Sequence, residues 1–359
     1  METSKNLNSF FHKKTVVTFF LSILVVMIHV NSFALYKIDN NLLSGQVLNV
    51  VRLVLESNLT SVAIRLFFLI SGVLFYRNYT YKDTFKKYKS RVKSLVIPYL
   101  IWCSLYTIAV MILHYTPLGT QFQFDVPFTF KNLLMGILFN DFYSSFWFIF
   151  NLMIFTLACP IIYTILKNKW IGLLVVSILI TLYGFGIKIP EIITINGVEY
   201  VAFWRADSII LYIIGAYIGI HAFDWFATAK NKRFSIICLI SSVIMIAFQY
   251  VNSIFTLPDI LSLLSLIIFS LSLWFAFDLF KFDEKPPVIF NYSFMIFALN
   301  FYMGLIIPQL VYYILPKNPF AGLINFILSG IIEVSIIIGI AYLLDNKSHK
   351  LYALITGGR

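Results

Sequence analysis

His29 lies deep in the first apolar run of the chain, Thr15 to Val30 (TVVTFFLSILVVMIHV), and is the only one of the five histidines well inside such a run. An ionisable side chain at membrane depth is costly and faces a protein interior or a wet cavity. Imidazole titrates near physiological pH, which suits it to taking up and returning a proton. Two readings stand open: a proton-transfer group, or a packing histidine hydrogen-bonded to a neighbouring helix. At about 100° per residue, Thr18, Ser22, His29 and Ser32 fall within about 80° of one another, with Lys14 on the same stripe. A helix in lipid gathers its polar groups only on a face that looks inward, so His29 is expected to point at other helices. Near the other end of the chain, Gly322, Asn325, Ser329 and Glu333 also fall within about 80°. An intramembrane glutamate is a functional-site candidate by position alone. A carboxylate beside His29 would fix its tautomer and raise its basicity, as the orienting member of a triad does. The expected pair is therefore His29 with Glu333, although an interhelical hydrogen bond would use the same pattern.

The elements that must position these groups are helices. The 359 residues are 60% hydrophobic, 18% aromatic and only 12% charged, with a mean hydropathy of +0.87. Soluble domains carry roughly 25% charged residues, so the composition is that of an integral membrane protein. The apolar material comes in stretches of roughly 17–25 residues, the length that crosses a hydrocarbon core as helix. Ten segments follow, near 15–34, 61–78, 94–114, 145–166, 170–187, 207–225, 235–251, 257–277, 287–308 and 321–344. The run 129–140 (TFKNLLMGILFN) is too short to span and reads as an interfacial helix. The expected fold is all-α: a polytopic bundle of about ten transmembrane helices forming one domain over 1–359. Short terminal segments, 1–14 and 345–359, flank it. Although Lys13 and Lys14 precede the first run as in a signal sequence, that run is long and Ser32-Phe33-Ala34 is a weak cleavage site. It reads as a retained span.

Basic residues orient the chain. All but seven of the 27 Lys and Arg fall at the termini or after the even-numbered spans; the exceptions are Lys37, Arg52, Arg65, Lys131, Lys188, Arg205 and Lys317. Both termini are thus expected in the cytoplasm. The same bias accounts for the net charge of +11 without a nucleic-acid partner. Cys103, Cys159 and Cys238 sit in or beside spans and offer neither a disulfide framework nor metal-ligand spacing. Neither GxxxxGK[ST] nor a strand-borne GxGxxG occurs, which argues against a nucleotide motor. Ser293, Asn300 and Gly304 share a face of the ninth span. Gly215 and Gly219 form a small-xxx-small pair for helix packing in the sixth, with Arg205 and Asp207 at its outer end as an interfacial ion pair.

Four patterns, in order, resemble the acyltransferase 3 family of multispanning membrane acyltransferases. They are SILVVMIHV (Ser22 to Val30), RLFFLISGVLF (Arg65 to Phe75), a basic loop running into KSRVKSLVIPYLIW (Lys89 to Trp102), and SFWFIFNLMIF (Ser145 to Phe155). NYSFMIFALN (Asn291 to Asn300) and LITGGR (Leu354 to Arg359) agree with it. The resemblance covers essentially the whole chain. It implies transfer of an acyl group, commonly acetyl from acetyl-CoA, to a hydroxyl or amine of a cell-surface carbohydrate or related envelope molecule. His29 would act as general base, removing the acceptor proton as the thioester carbonyl is attacked. Ser71, Asn300 or a guanidinium would supply donors to the tetrahedral oxyanion. Three positions depart from many relatives: Thr18, where a basic residue stands about three helical turns before the histidine; Arg65, whose position is often filled by another residue type; and Asn300, where the ninth-span motif ends in histidine.

The expected site therefore has His29 and Glu333 as catalytic groups and Arg65, Ser71, Trp147 and Asn300 toward the acceptor. Lys89, Arg91 and Lys93 would meet the phosphates of CoA, or equally serve as topology determinants touching anionic lipid. No permanently bound cofactor is expected; acyl-CoA is a substrate. The implied partners are acyl-CoA, a surface glycan or lipid-linked sugar, and membrane lipid. The implied location is the cell membrane, as a multi-pass protein of a bacterial plasma membrane. The alternative is a transporter or exporter of an envelope polysaccharide or its precursor. Intramembrane His and Glu would also suit that role, but no pair of Gly/Pro-broken helices is expected in the two halves.

Overall fold

A computed structural model describes residues 2–30, 32–36, 43–55, 59–117, 119, 125–139, 142, 144–187, 192–195, 198–201 and 205–358. Lys37, Lys188 and Arg359 lie outside these. In chain order the helices are α1 (Glu2–His29), α2 (Leu43–Leu53), α3 (Ser61–Tyr76), α4 (Thr84–Arg91), α5 (Ile97–His114), α6 (Phe130–Phe139), α7 (Trp147–Leu157), α8 (Cys159–Leu166) and α9 (Lys169–Gly184). They continue as α10 (Ala206–His221), α11 (Phe223–Ala227), α12 (Lys232–Phe255), α13 (Asp259–Ala276), α14 (Ser293–Ile314), α15 (Pro319–Lys347) and α16 (His349–Thr356). The chain divides into two compact units, Met1–Thr80 with Pro160–Ile338, and Tyr81–Cys159 with Gly339–Arg359.

All ten expected apolar segments are helical, but they are not ten equal spans. Among the described residues, five helices are long and apolar enough to cross a membrane, or seven if each of two bent pairs counts as one span. The helices α3, α9 and α10 have 16 residues each, about 24 Å, against a hydrocarbon core of about 30 Å. Two further corrections concern the backbone. The fourth and ninth segments are broken, where unbroken helices were expected: one break falls at Ala158, just before Pro160, and the other bends Val288–Phe301 against Met303–Ile314 by 71°. Pro160 stands in the first turn of α8 and cannot donate back to the Thr156 carbonyl across the first break, and Pro308 stands inside α14 beyond the second. The fold is helical as expected, with one short hairpin among the described residues. Ile192–Ile195 and Val198–Val201 pair antiparallel, Ile192 opposite Val201.

In the larger unit, α3 and α10 run parallel and pack backbone to backbone. A Cβ on Gly72 would stand 2.3 Å from the Tyr212 carbonyl oxygen, and one on Gly215 2.1 Å from that of Leu69. Small residues are what permit such approach between helices that lack a hydrophobic drive to associate in lipid. An ion pair closes one end of this seam: Arg65 Nη2 and Nε donate to Asp207 Oδ2 at 2.5 and 3.0 Å, both residues buried. Asp207 therefore pairs across helices with Arg65, while Arg205 is exposed. The helices α12 and α13 form a second close pair, joined by Gln249 Nε2 to Ser265 Oγ at 2.6 Å and Ser272 Oγ to Ser241 Oγ at 3.0 Å.

A second buried ion pair ties α1 to the turn after α13. Lys13 Nζ lies 2.6 Å from Asp278 Oδ1, with side chains 5% and 1% exposed, and 4.2 Å from the centre of the Trp274 ring. Phe226 stacks on Trp274 at 4.6 Å, and Asp278 Oδ2 accepts the Lys230 backbone N–H at 3.1 Å. Both carboxylate oxygens are thus satisfied, as a buried charge requires.

In the smaller unit, α4 leads through a π-helical turn, Val92–Val96, into α5. The C-terminal α16 docks beside it: Trp102 Nε1 donates to the Ile355 carbonyl at 2.9 Å. Gly357 has φ of +73°, and a Cβ there would stand 2.6 Å from the Ser94 carbonyl oxygen, so only glycine fits.

Replacing Asp278 by Asn strands the buried Lys13 charge and should destabilise the protein by about 3–5 kcal/mol. Thermal unfolding in detergent checks this: the midpoint falls in Asp278→Asn and largely recovers in the double variant Lys13→Met, Asp278→Leu.

Candidate active site

His29 is the last residue of α1. The helix ends there, and the chain turns through Phe33–Leu35 with Ser32 and Phe33 buried. Its polar stripe faces inward as expected: Ser22 is 1% exposed and Ser32 not exposed at all. Thr18 and Ser22 hydroxyls donate back to the carbonyls of Thr15 and Thr18 at 3.0 and 2.8 Å. These groups are satisfied within their own helix. His29 itself is half-buried, so its ring keeps some access.

The helix α14 supplies the other wall. The Phe301 ring meets the imidazole edge-on at 5.5 Å. A Cβ on Gly304 would lie 2.7 Å from the His29 carbonyl oxygen, so the missing side chain sets the approach of the two helices. Four residues on, Pro308 cannot donate to the Gly304 carbonyl, and the bend between Phe301 and Met303 lies just before Gly304.

The helix α15 completes the seam, and its polar stripe is buried from end to end. Gly322, Asn325, Ser329 and Glu333 all face inward, the last three with no exposure. Asn325 Nδ2 donates to the Pro308 carbonyl at 2.9 Å and to the Tyr36 hydroxyl at 3.2 Å, and its Oδ1 accepts from Ser329 Oγ at 2.7 Å. Ser32 Oγ lies 3.4 Å from the Gly322 carbonyl. A Cβ on Gly330 would fall 2.5 Å from Met27 Sδ. The first and last long helices therefore touch.

Two polar side chains of this seam stand apart. Both amide atoms of Asn300 and both carboxyl oxygens of Glu333 are buried and take no hydrogen bond among the described residues. The hydrogen bond expected between His29 and Glu333 is thus not made. Asn300 precedes Phe301 and lies one helical turn before Gly304, on the helix that His29 meets.

The remaining expected residues are distributed as follows. Arg65 is engaged by Asp207, and Ser71 is half-buried on α3 beside Gly72. Trp147, Lys89, Arg91 and Lys93 belong to the smaller unit. There Lys89 and Lys93 are exposed, Arg91 and Trp147 half-buried, and the Trp147 carbonyl accepts from Asn151 Nδ2 at 2.9 Å. Sequence reasoning missed Lys13, Asp278, Phe301 and Tyr36. No periodicity marks an ion pair formed between helices far apart in sequence, or an aromatic ring among many. A hollow of about 460 Å³ was also missed. It lies where α3 and α10 end, lined by Arg77, His221, Phe223 and Trp225 among others. The Arg77 guanidinium sits over the Phe11 and Phe223 rings at 4.8 and 5.5 Å.

A family model for an acyltransferase domain, acyltransferase 3, matches residues 17–345, nearly the entire chain. The chain belongs to that family. No curated protein and no solved structure matches it. A membrane acyltransferase needs a base, donors for an oxyanion and a scaffold that holds both. In this acyltransferase the seam of α1, α14 and α15 carries candidates for each within one unit.

Gly304→Ala should push α14 off His29, lowering the thermal midpoint and cutting acyl transfer by about ten- to a hundredfold. Gly339→Ala, whose Cβ would meet nothing within 4 Å, should leave both unchanged.

Proposed function

We propose that this membrane acyltransferase moves an acetyl group from acetyl-CoA to a hydroxyl of a cell-surface polysaccharide or lipid-linked glycan, with His29 as general base. The observation that carries the reading is the seating of His29. Its ring is half-buried against Phe301, and its backbone is held by the glycine of a broken helix. The Asn300 amide, buried and without a hydrogen-bond partner among the described residues, belongs to that same helix. A ring nitrogen removes the hydroxyl proton as the alkoxide attacks the thioester carbonyl. The Asn300 amide donates to the oxygen that gains charge, and a buried donor without a competing partner is strongest there.

Acetyl-CoA approaches from the cytoplasm, on the side that holds both termini, and the glycan from the opposite side of the cell membrane. Lys89, Arg91 and Lys93 meet the phosphates of the donor, and Arg77, framed by aromatic rings at its hollow, offers a further guanidinium. Arg65 holds its helix pair together through Asp207 at the acceptor end, with Ser71 on the same helix; in the smaller unit, Trp147 serves the acceptor.

Purified protein supplied with radiolabelled acetyl-CoA and a panel of surface glycans tests the reading. His29→Ala should lower acetyl transfer by about 10²–10⁴-fold without changing the unfolding midpoint. Transfer that survives in His29→Ala removes the proposed base. Glycan movement across a vesicle membrane without CoA release would instead establish the transporter reading, which the two broken helices would also fit.

A further inference from the structure

Glu333 is the one carboxylic acid of the α15 stripe, and its expected work, orienting His29, is not what its surroundings show. It is fully buried, and neither oxygen takes a hydrogen bond among the described residues. A carboxyl kept in that condition is expensive unless something else uses it. Its neighbours on the same face show the contrast: Asn325 spends both its amide nitrogen and its oxygen on Tyr36, Pro308 and Ser329, and those contacts fix the helices.

Helix contacts place Glu333 along the seam. The helices α1 and α15 run in opposite directions, with Gly322 beside Ser32 and Phe33, and Gly330 beside Met27. Three residues beyond Gly330, Glu333 falls about 4.5 Å further toward the Lys13 end of α1. The helix α14 runs parallel to α1, with Phe290 beside Phe19 and Gly304 beside His29. Asn300, between those two contacts in sequence, therefore also lies from His29 toward that same end. Glu333, beyond the Gly330 contact with Met27, lies further along α1 in that direction. From the outer end inward, the order is base, amide, carboxyl.

We propose that Glu333 is a second catalytic residue, the general acid that protonates the departing CoA sulfur. The inference rests on the acetyl-CoA reading above. With the donor entering from the Lys13 end, its acyl carbon reaches His29 last, and its sulfur trails on the side where Glu333 stands. The step balances. The acceptor oxygen gives its proton to the His29 ring nitrogen and forms the new C–O bond, and the carbonyl electrons move onto the oxygen facing Asn300. As the tetrahedral centre collapses, the C–S bond breaks and its electron pair leaves on sulfur. The Glu333 carboxyl, a donor in its protonated form, gives its proton to that sulfur, and the products are an ester and free thiol. An imidazolium and a carboxylate remain on touching helices, and passage of one proton between them through a bridging water restores both. The division of labour follows from position. A bare thiolate is costly in an apolar interior, and a base facing the acceptor is on the wrong side to relieve it.

Glu333→Gln keeps the shape and removes the proton. The full-length protein is assayed in detergent for thiol release from acetyl-CoA with p-nitrophenyl glucoside and p-nitrophenyl galactoside as hydroxyl acceptors, in H₂O and in D₂O. The expected result is a fall in kcat of about a hundredfold. The KM for acetyl-CoA and the unfolding midpoint stay unchanged, the solvent isotope effect is smaller than that of the wild type, and Glu333→Asp recovers part of the rate. Wild-type kcat in Glu333→Gln overturns the proposal. A change confined to KM or to the unfolding midpoint also overturns it, by making Glu333 a structural group. A wild-type protein that releases no thiol beyond the level of His29→Ala overturns the acetyl-CoA reading itself, and the two failures are thereby distinguished.

Discussion

The backbone contact between Gly304 and His29 is the constraint on which the seam depends. In lipid no hydrophobic force draws helices together, so packing and hydrogen bonds must do it. The missing side chain at Gly304 brings α14 onto the backbone of His29. Pro308, one turn further, frees the carbonyl that a straight helix would have used. Asn325 then anchors the bent stretch by accepting no alternative: its amide nitrogen goes to the Pro308 carbonyl and the Tyr36 hydroxyl. Remove the close approach, and Phe301, Asn300 and the α15 stripe lose their common reference.

Polar groups within this seam divide by what they touch. Thr18, Ser22, Ser32, Asn325 and Ser329 are spent on protein partners, so they hold shape. Asn300 and Glu333 are buried without partners among the described residues. Burying such groups costs stability, and enzymes carry that cost where groups must be ready for a substrate. The same division separates the two ion pairs from the site. Arg65 with Asp207 and Lys13 with Asp278 neutralise each other, and each ties helices whose mutual packing is otherwise glycine or aromatic.

Much of this was legible because helical periodicity is a local property. The inward faces of α1 and α15 follow from spacing alone, and Ser22, Ser32, Asn325, Ser329 and Glu333 are all buried. The glycines at 215 and 219 announced a close helix pair, and α3 is that partner. The rest depended on the third dimension. Periodicity shows that His29 and Glu333 each face inward but not at what height they meet, and their hydrogen bond is absent. Nothing within the segment around Lys13 indicates Asp278, and Asp207 took Arg65 where nearby Arg205 was the local choice. Pro308 was visible, yet nothing near it in sequence shows that Asn325 of a neighbouring helix donates to its carbonyl. The family resemblance reached further than periodicity, since it concerns the order of patterns along nearly the whole chain.

The Lys13–Asp278 pair also has a consequence in time. The two residues are 265 positions apart, and synthesis at about 5–20 residues per second separates their emergence by roughly ten seconds to a minute. Helix α1 is made first, yet neither the carboxylate that neutralises its lysine nor the helices that seat its histidine exist until α13, α14 and α15 follow. During that interval the lysine must stay at the membrane surface, held in headgroups and water. Helix α1 is synthesised well before its partners yet reaches its final depth only with them, and the candidate active site comes into being only once α15 has been made.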